Sequence, residues 1–288
     1  MITLFKMTRP VNIAIAMITL LVGYFLLGVL PSLHISTLVL QALGFAFAIG
    51  FGNIQNDVLD FESDKKNRPE RPLPSGRISM KAAKISWVVT LILSIACGFA
   101  DSLISGIFFT FLALLLIAYN IKLKHIPLLK NMTVAFLCAT PLILNLVYPA
   151  GGQVSQFLET DFETKIGILY PAMIFAFLLT TAREIYKDLE DETGDLTAGI
   201  MTFPLIAGAP TARRFAGAIL IFTWMLLPLP VVQGYYPPLF MLLTLATFTP
   251  AFAYILVQAK KQKYHTAQSV VKIAMFVGLI ALVVSVVV

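Results

Sequence analysis

Charge is what this chain has least of: charged residues make up 12% of its 288 positions, about half the usual share for a soluble domain. With 58% hydrophobic residues and a mean hydropathy of +0.87, that scarcity excludes an ordinary water-soluble fold and predicts a membrane protein. Cysteine is nearly absent. Cys97 and Cys138 stand alone inside apolar runs, which excludes a disulfide scaffold and a cysteine-based metal motif. Histidine is as sparse: His34, His125 and His265 are scattered, so a histidine-rich metal centre is excluded too.

What is present is a series of apolar runs close to the roughly 20 residues that cross a bilayer core. Nine are read: Asn12 to Leu30, Ser36 to Asn56, Ile85 to Ala100, Leu103 to Ile121, Met132 to Tyr148, Ile166 to Ile185, Phe215 to Val232, Pro238 to Gln258 and Val270 to Val288. The third and fifth are short. Pro141, Pro171, Pro228, Pro230 and Pro250 lie within runs and predict kinks. The first run has no small-residue cleavage site and a second run follows at once, so a cleaved signal is not expected.

If the spans alternate, all of the 21 Lys and Arg except Lys165 fall on one side. By the positive-inside rule that side is the cytoplasm, which places the N-terminus inside. The net charge of +6 is then a topology signal and not a nucleic-acid signal. Most acids share the cytoplasmic side. The stretch Pro149 to Lys165, with Glu159, Asp161 and Glu163, reads as a solvated external loop. Nothing marks a soluble domain, a linker or an obligate protein partner, so the chain reads as one membrane domain.

Six of the eight Asp residues belong to two rows with a common spacing. Asn53, Asp57, Asp60 and Asp64 are answered 131 positions later by Glu184, Asp188, Asp191 and Asp195. On a helix the offsets 0, +4, +7 and +11 share one stripe, so each row can present oxygen ligands on one face. The repeat suggests an internal duplication with halves of about 1–131 and 132–288. Carboxylates three or four residues apart repel by roughly 3 kcal/mol per pair at an effective dielectric near 20. The rows also end helices, where the dipole disfavours negative charge. Each row therefore needs a cation, and an oxygen-only donor set selects a hard ion such as Mg²⁺.

Basic residues adjoin the rows. Arg68, Arg71 and Arg77 sit in a loop stiffened by Pro69, Pro72 and Pro74; Arg183 and Lys187 flank the second row; Lys122 and Lys124 follow the fourth span. Metal ligands beside cations suit a highly charged anion, and a diphosphate fits. Lys66, Lys81, Lys84, Lys130 and the cluster at Lys260 read instead as topology anchors or snorkelling side chains.

Asn56-Asp57-Val58-Leu59-Asp60-Phe61-Glu62-Ser63-Asp64, followed by Arg71-Pro72-Leu73-Pro74-Ser75-Gly76, resembles the first signature of the UbiA-type intramembrane prenyltransferases. Asp188-Leu189-Glu190-Asp191-Glu192-Thr193-Gly194-Asp195 resembles their second. Arg9-Pro10, Tyr119 with Lys122 and Lys124, and Gly199 through Thr202 to Pro204 are further similar features.

The resemblance implies an all-α bundle of nine helices around a central cavity in the cell membrane, with the active site facing the cytoplasm. It implies transfer of an isoprenyl chain from a prenyl diphosphate to a lipophilic acceptor. Two Mg²⁺ are expected, one held by Asp57, Asp60 and Asp64 with Asn56, the other by Asp188, Asp191 and Asp195. Arg9, Asn12, Asn53, Arg68, Arg71, Tyr119, Lys122, Lys124, Arg183 and Lys187 are candidates for the diphosphate and substrate.

Within the superfamily the chain most resembles the archaeal branch that adds a geranylgeranyl group to the hydroxyl of geranylgeranylglyceryl phosphate. Prenylation of an aromatic acceptor of the quinone, haem or chlorophyll type is the alternative. A transporter would place ionisable groups within its spans, whereas here they gather at span ends. A CDP-alcohol type headgroup transferase would gather its acids into one continuous motif.

Overall fold

A computed structural model describes residues 2–148 and 162–287. Among these residues every regular element is helical. In order they are α1 (Ile2–Met7), α2 (Pro10–Leu26), α3 (Ile35–Leu59), α4 (Phe61–Asn67), α5 (Met80–Asp101), α6 (Leu103–Ile121) and α7 (Leu129–Val147). There follow α8 (Phe162–Glu190), α9 (Glu192–Ala198), α10 (Phe203–Ala207), α11 (Ala209–Leu226), α12 (Leu229–Val232), α13 (Pro238–Lys260) and α14 (Tyr264–Val287). Most of the stretch expected as an external loop, at 149–161, lies outside the described residues.

Among the described residues eight helical segments are long and apolar enough to cross a membrane, and α2 is a shorter apolar helix of 17 residues. The first expected span therefore stops at Leu26 and not at Leu30, because Gly28 turns left-handed with φ 67° and a 3₁₀ turn follows at Leu30–Ser32. The third and fifth spans are longer than their apolar runs suggest. Ser79 caps α5 by accepting a hydrogen bond from the Ala82 amide, which starts that helix five residues before Ile85. Pro228 lies between α11 and α12 and Pro230 at the start of α12, whereas Pro141, Pro171 and Pro250 are contained inside α7, α8 and α13. Large side chains such as Leu114, Met225, Leu242 and Ile280 lie more than 60% exposed on the spans. Such surface is at home in lipid, where helices gain nothing from burying apolar side chains and associate through close packing instead.

Packing divides the chain into two compact units. The first comprises Met1–Leu123 and Pro141–Phe162, and the second Lys124–Thr140 and Glu163–Val288.

In the first unit α3 packs against α2, α5 and α6. Phe45, Phe108 and Phe109 form an edge-to-face trio with centroids 5.1 to 6.0 Å apart. The α3 backbone comes close enough at Gly44 for a Cβ there to meet the Phe109 ring at 2.5 Å. Ser94 on α5 donates to the Gly44 carbonyl at 2.9 Å, fixing that approach.

The end of this unit far from the acid row is closed by a polar network. Tyr24 donates to Gln41 Oε1 at 2.7 Å, and Gln41 Nε2 donates to Asp101 Oδ2 at 2.9 Å. Ser105 donates to the same oxygen at 2.5 Å, and Tyr148 to Asp101 Oδ1 at 3.3 Å. Every one of these donors is buried, as such a low-dielectric network requires.

The second unit is built on a core from α8, α11, α13 and α14, including Ile185, Tyr186, Leu220, Phe252, Ile255 and Val271. Alanines at 212, 216, 259, 267 and 274 bring the backbones together.

Candidate active site

Both acid rows interrupt their helices at the same member. The third residue of each row, Asp60 and Asp191, leaves helical dihedrals with φ −90°, ψ 9° and φ −88°, ψ 2°. The spacing alone predicts one unbroken helix through each row. The difference is local, since the hydrogen-bond ladder passes through the break. Asp60 N bonds to Asn56 O and Asp64 N to Asp60 O; Asp191 N bonds to Lys187 O and Asp195 N to Asp191 O. Backbone near ψ 0° is sparsely populated by ordinary residues and recurs at functional positions.

In the first unit a small apolar cluster positions the cations. Met7, Ile54, Leu73 and Ala83 are buried together, with Leu4, Ile78 and Trp87 against them. Burial of Leu73 contributes about 2 kcal/mol and ties down the proline-rich loop. The loop then returns Arg71 to the row. Its Nη1 donates to Asp64 Oδ2 at 2.5 Å and to Asp57 Oδ1 at 3.4 Å. Arg9, left-handed at φ 56°, brings its guanidinium within 3.8 Å of Asp57. Asn53 donates to Thr8 O at 3.3 Å, holding the chain beside Arg9. Asn56 donates to Asp60 Oδ2 at 2.9 Å.

The other candidates are spread along the helices and loops. Asn12 is exposed in the first turn of α2, and Lys122 is exposed at the end of α6. Arg77 bonds within its own loop, to Ser75 Oγ at 2.8 Å and to the Glu70 carbonyl. Arg68 is exposed at the end of α4, while Tyr119 is half-buried on α6. Lys124 belongs to the second unit, in the 3₁₀ turn Leu123–His125.

In the second unit Glu184 is buried between Arg183, 2.5 Å away, and Lys187, 3.8 Å away. Asp188 is only 2% exposed and has both oxygens engaged. Lys130 donates to Oδ1 at 2.7 Å and Asn131 to Oδ2 at 2.8 Å. Lys130 is therefore not the topology anchor that its position at a span end suggests. It sits in the first turn of α7, whose start three residues before Met132 turns it onto α8. Lys130 and Asn131 are partners that sequence reasoning missed, and no spacing relates them to Asp188, 58 and 57 positions later.

Past the second break α9 ends in a Schellman closure. Gly199, at φ 69°, bonds to Leu196 O, and Ile200 N bonds to Asp195 O. Asp195 Oδ2 is buried with no hydrogen-bond partner. Burial pushes the Asp195 carboxyl up to about 6, with Asp188 and Asp191 adding to the rise and Lys130 and Lys187 opposing it.

Among the described residues no three carboxylates gather closely enough to hold one metal ion. Arg71 lies against Asp64 and Asp57, and Lys130 against Asp188. The donor chemistry nevertheless fits a hard divalent ion. Every acid in the rows is an oxygen donor, and Asp195 Oδ2 is a buried oxygen awaiting a partner.

The model of the UbiA prenyltransferase family matches residues 16–280. Digeranylgeranylglyceryl phosphate synthase of Methanothermobacter thermautotrophicus is 32% identical over 279 residues, 96% of this chain and 93% of that protein. A solved structure concerned with digeranylgeranylglyceryl phosphate synthase in membranes aligns with a TM-score of 0.76 at 26% identity, over 98% of this chain and 97% of that one. A UbiA homolog from Archaeoglobus fulgidus bound to GPP and Mg²⁺ shares the fold, with a TM-score of 0.69 at 17% identity over 97% and 99% of the two chains. With that extent of match, two acid rows in the spacing of the family signatures and a helical, multi-pass membrane architecture, this chain belongs to the UbiA prenyltransferase family and is an enzyme that transfers prenyl groups.

Proposed function

We propose that the chain transfers a geranylgeranyl group from geranylgeranyl diphosphate to the hydroxyl of geranylgeranylglyceryl phosphate, forming the second ether bond of archaeal membrane lipids. The observation that carries this reading is the pairing of each carboxylate row with resident cations, Arg9 and Arg71 at the first and Lys130, Arg183 and Lys187 at the second. Oxygen ligands and fixed positive charge side by side suit a diphosphate head. The names of relatives about 30% identical over nearly the whole chain support the acceptor. The ligands of the Archaeoglobus fulgidus homolog support a diphosphate donor with Mg²⁺.

The residues that would hold Mg²⁺ are Asp57, Asp60 and Asp64 with Asn56 for one ion, and Asp188, Asp191 and Asp195 for a second. When bound, Mg²⁺ supplies positive charge against the departing diphosphate. The chain's own cations do the same from fixed positions. Arg71 presents a planar fork held in place by the loop anchored at Leu73, so little reorganisation is needed as charge develops.

The bond between the allylic carbon and the diphosphate oxygen breaks with its electron pair on the departing diphosphate, the acceptor oxygen bonds to that carbon, and the hydroxyl proton passes to the released diphosphate. The acceptor's own phosphate is an anion that suits a protein rich in cations near its acid rows, which an aromatic monocarboxylate does not require. The site faces the cytoplasm, where the basic residues gather.

Mass spectrometry of products from purified protein, Mg²⁺, geranylgeranyl diphosphate and a panel of acceptors tests the reading. The diether phosphate is the expected product. A product formed only on a hydroxybenzoate or a quinone precursor would reject it.

A further inference from the structure

Asp188 is the most enclosed carboxylate of the two rows, and both of its oxygens accept hydrogen bonds. Its two donors differ in kind. Asn131 is 1% exposed and short, a fixed partner. Lys130 carries a full charge on a flexible four-carbon stem, with its side chain 20% exposed. The ammonium also lies in the field of Asp195 and Glu184. Its Nζ holds one of the Asp188 oxygens that an ion bound there would need. Two cations cannot share that carboxylate without strong mutual repulsion.

We propose that Lys130 is a resident counter-ion of the second row, which gives up Asp188 to a metal ion only when a diphosphate arrives to receive its ammonium. The inference rests on the reading that the rows hold Mg²⁺. It makes entry of the second ion and entry of the diphosphate one linked event. In the free protein the ammonium satisfies Asp188, so a second ion gains little by displacing it. A diphosphate offers the ammonium a new anion within reach of its swinging stem, and Asp188 is released at the moment when extra positive charge is needed. By reciprocity the ion raises the affinity for diphosphate by the same factor as the diphosphate raises the affinity for the ion.

In the first row Arg71 is arranged differently. It is held by the loop packed around Leu73 and spreads over Asp57 and Asp64, with Arg9 3.8 Å from Asp57 as well. An ion can therefore enter the first row without a diphosphate.

The experiment is Mn²⁺ binding to the full-length, metal-free protein in lipid nanodiscs. Loss of the free-ion electron paramagnetic resonance signal is followed with and without geranylgeranyl thiolodiphosphate, which resists cleavage. Wild type is expected to bind one Mn²⁺ tightly alone and a second one more tightly by on the order of tenfold or more with the thiolodiphosphate. Lys130→Met should bind both ions tightly without it, and Lys130→Arg should keep the dependence. Two equivalent ions on the wild type without the thiolodiphosphate would overturn the proposal, and this arm needs no substitution to fold. The same coupling in Lys130→Met as in wild type would overturn it as well. Absence of any bound Mn²⁺ even with the thiolodiphosphate is a different result, and it removes the metal-row reading together with the counter-ion.

Discussion

Replacing Arg71 by alanine should destabilise the metal-free protein and sensitise it to Mg²⁺. Arg71 reaches Asp64 at 2.5 Å and Asp57 at 3.4 Å, and the two carboxylate side chains are 9% and 10% exposed. At an effective dielectric near 20, unit charges at those separations attract by about 7 and about 5 kcal/mol. Desolvation of all three groups offsets much of that sum. What remains on truncation is the cost of leaving two buried carboxylates without their shared cation, about 3 to 5 kcal/mol. For a chain of this size that corresponds to a fall of roughly 10 °C in the unfolding midpoint.

The assay is the fraction of monodisperse protein recovered by size exclusion after heating in detergent, with chelator and then with Mg²⁺. A divalent ion can occupy the space vacated by the guanidinium, so Mg²⁺ should raise the midpoint of Arg71→Ala more than that of wild type. Arg71→Lys should fall between, because one ammonium cannot fork across both acids. A metal-free midpoint within 2 °C of wild type, or an equal response of both proteins to Mg²⁺, would refute the account of Arg71 as the keystone of the first row.

Asp60→Ala and Asp191→Ala should each abolish product formation while the protein stays monodisperse with helical circular dichroism; retained turnover in both would count against metal at the two rows. Because the Asp195 carboxyl is pushed up to about 6 and must lose its proton to bind an ion, Mg²⁺ affinity at the second row should fall about tenfold per pH unit below that point. Asp195→Asn should flatten this slope, and an unchanged slope by isothermal titration would show that another group titrates. In the folded protein the raised value also means that stability falls as pH rises from about 4 to 6, since the unfolded carboxyl ionises first; a thermal scan across that range reads the sign. Gly44→Val should cost about 1 to 3 kcal/mol by overpacking against Phe109, lowering the unfolding midpoint, and a neutral result would mean that α3 and α6 can part there freely.

Much of the architecture is written in short-range pattern. Apolar runs locate the spans, the bias of Lys and Arg gives their expected orientation, and the matched spacing of the acids singles out both rows before any coordinates. Prolines and Arg71 in one short segment likewise mark the loop that folds back. What sequence could not supply are contacts made between distant positions.

Lys130 and Asn131 meet Asp188 from another helix, and a lysine at the end of an apolar run reads by default as a headgroup anchor. Asp101 looks like a solvated connection between two spans because its hydrogen-bond partners at 41, 105 and 148 form no periodic set. The breaks at Asp60 and Asp191 carry no glycine or proline to announce them, so an amphipathic stripe is the natural reading until the dihedrals are seen.

Asp101 and Asp188 also show two ways of keeping a carboxylate in a membrane protein, and the difference has a consequence for traffic. Asp101 is bound by an amide and two hydroxyls, dipoles with no net charge to surrender. Exchanging them for an ion would strip three neutral partners and gain a charge the surroundings are not arranged to balance. Asp188 is bound partly by an ammonium, and trading one cation for another leaves the local tally nearly even. A divalent ion thus has an exchangeable partner to displace at Asp188, once that ammonium has another anion to meet, and no such partner at Asp101.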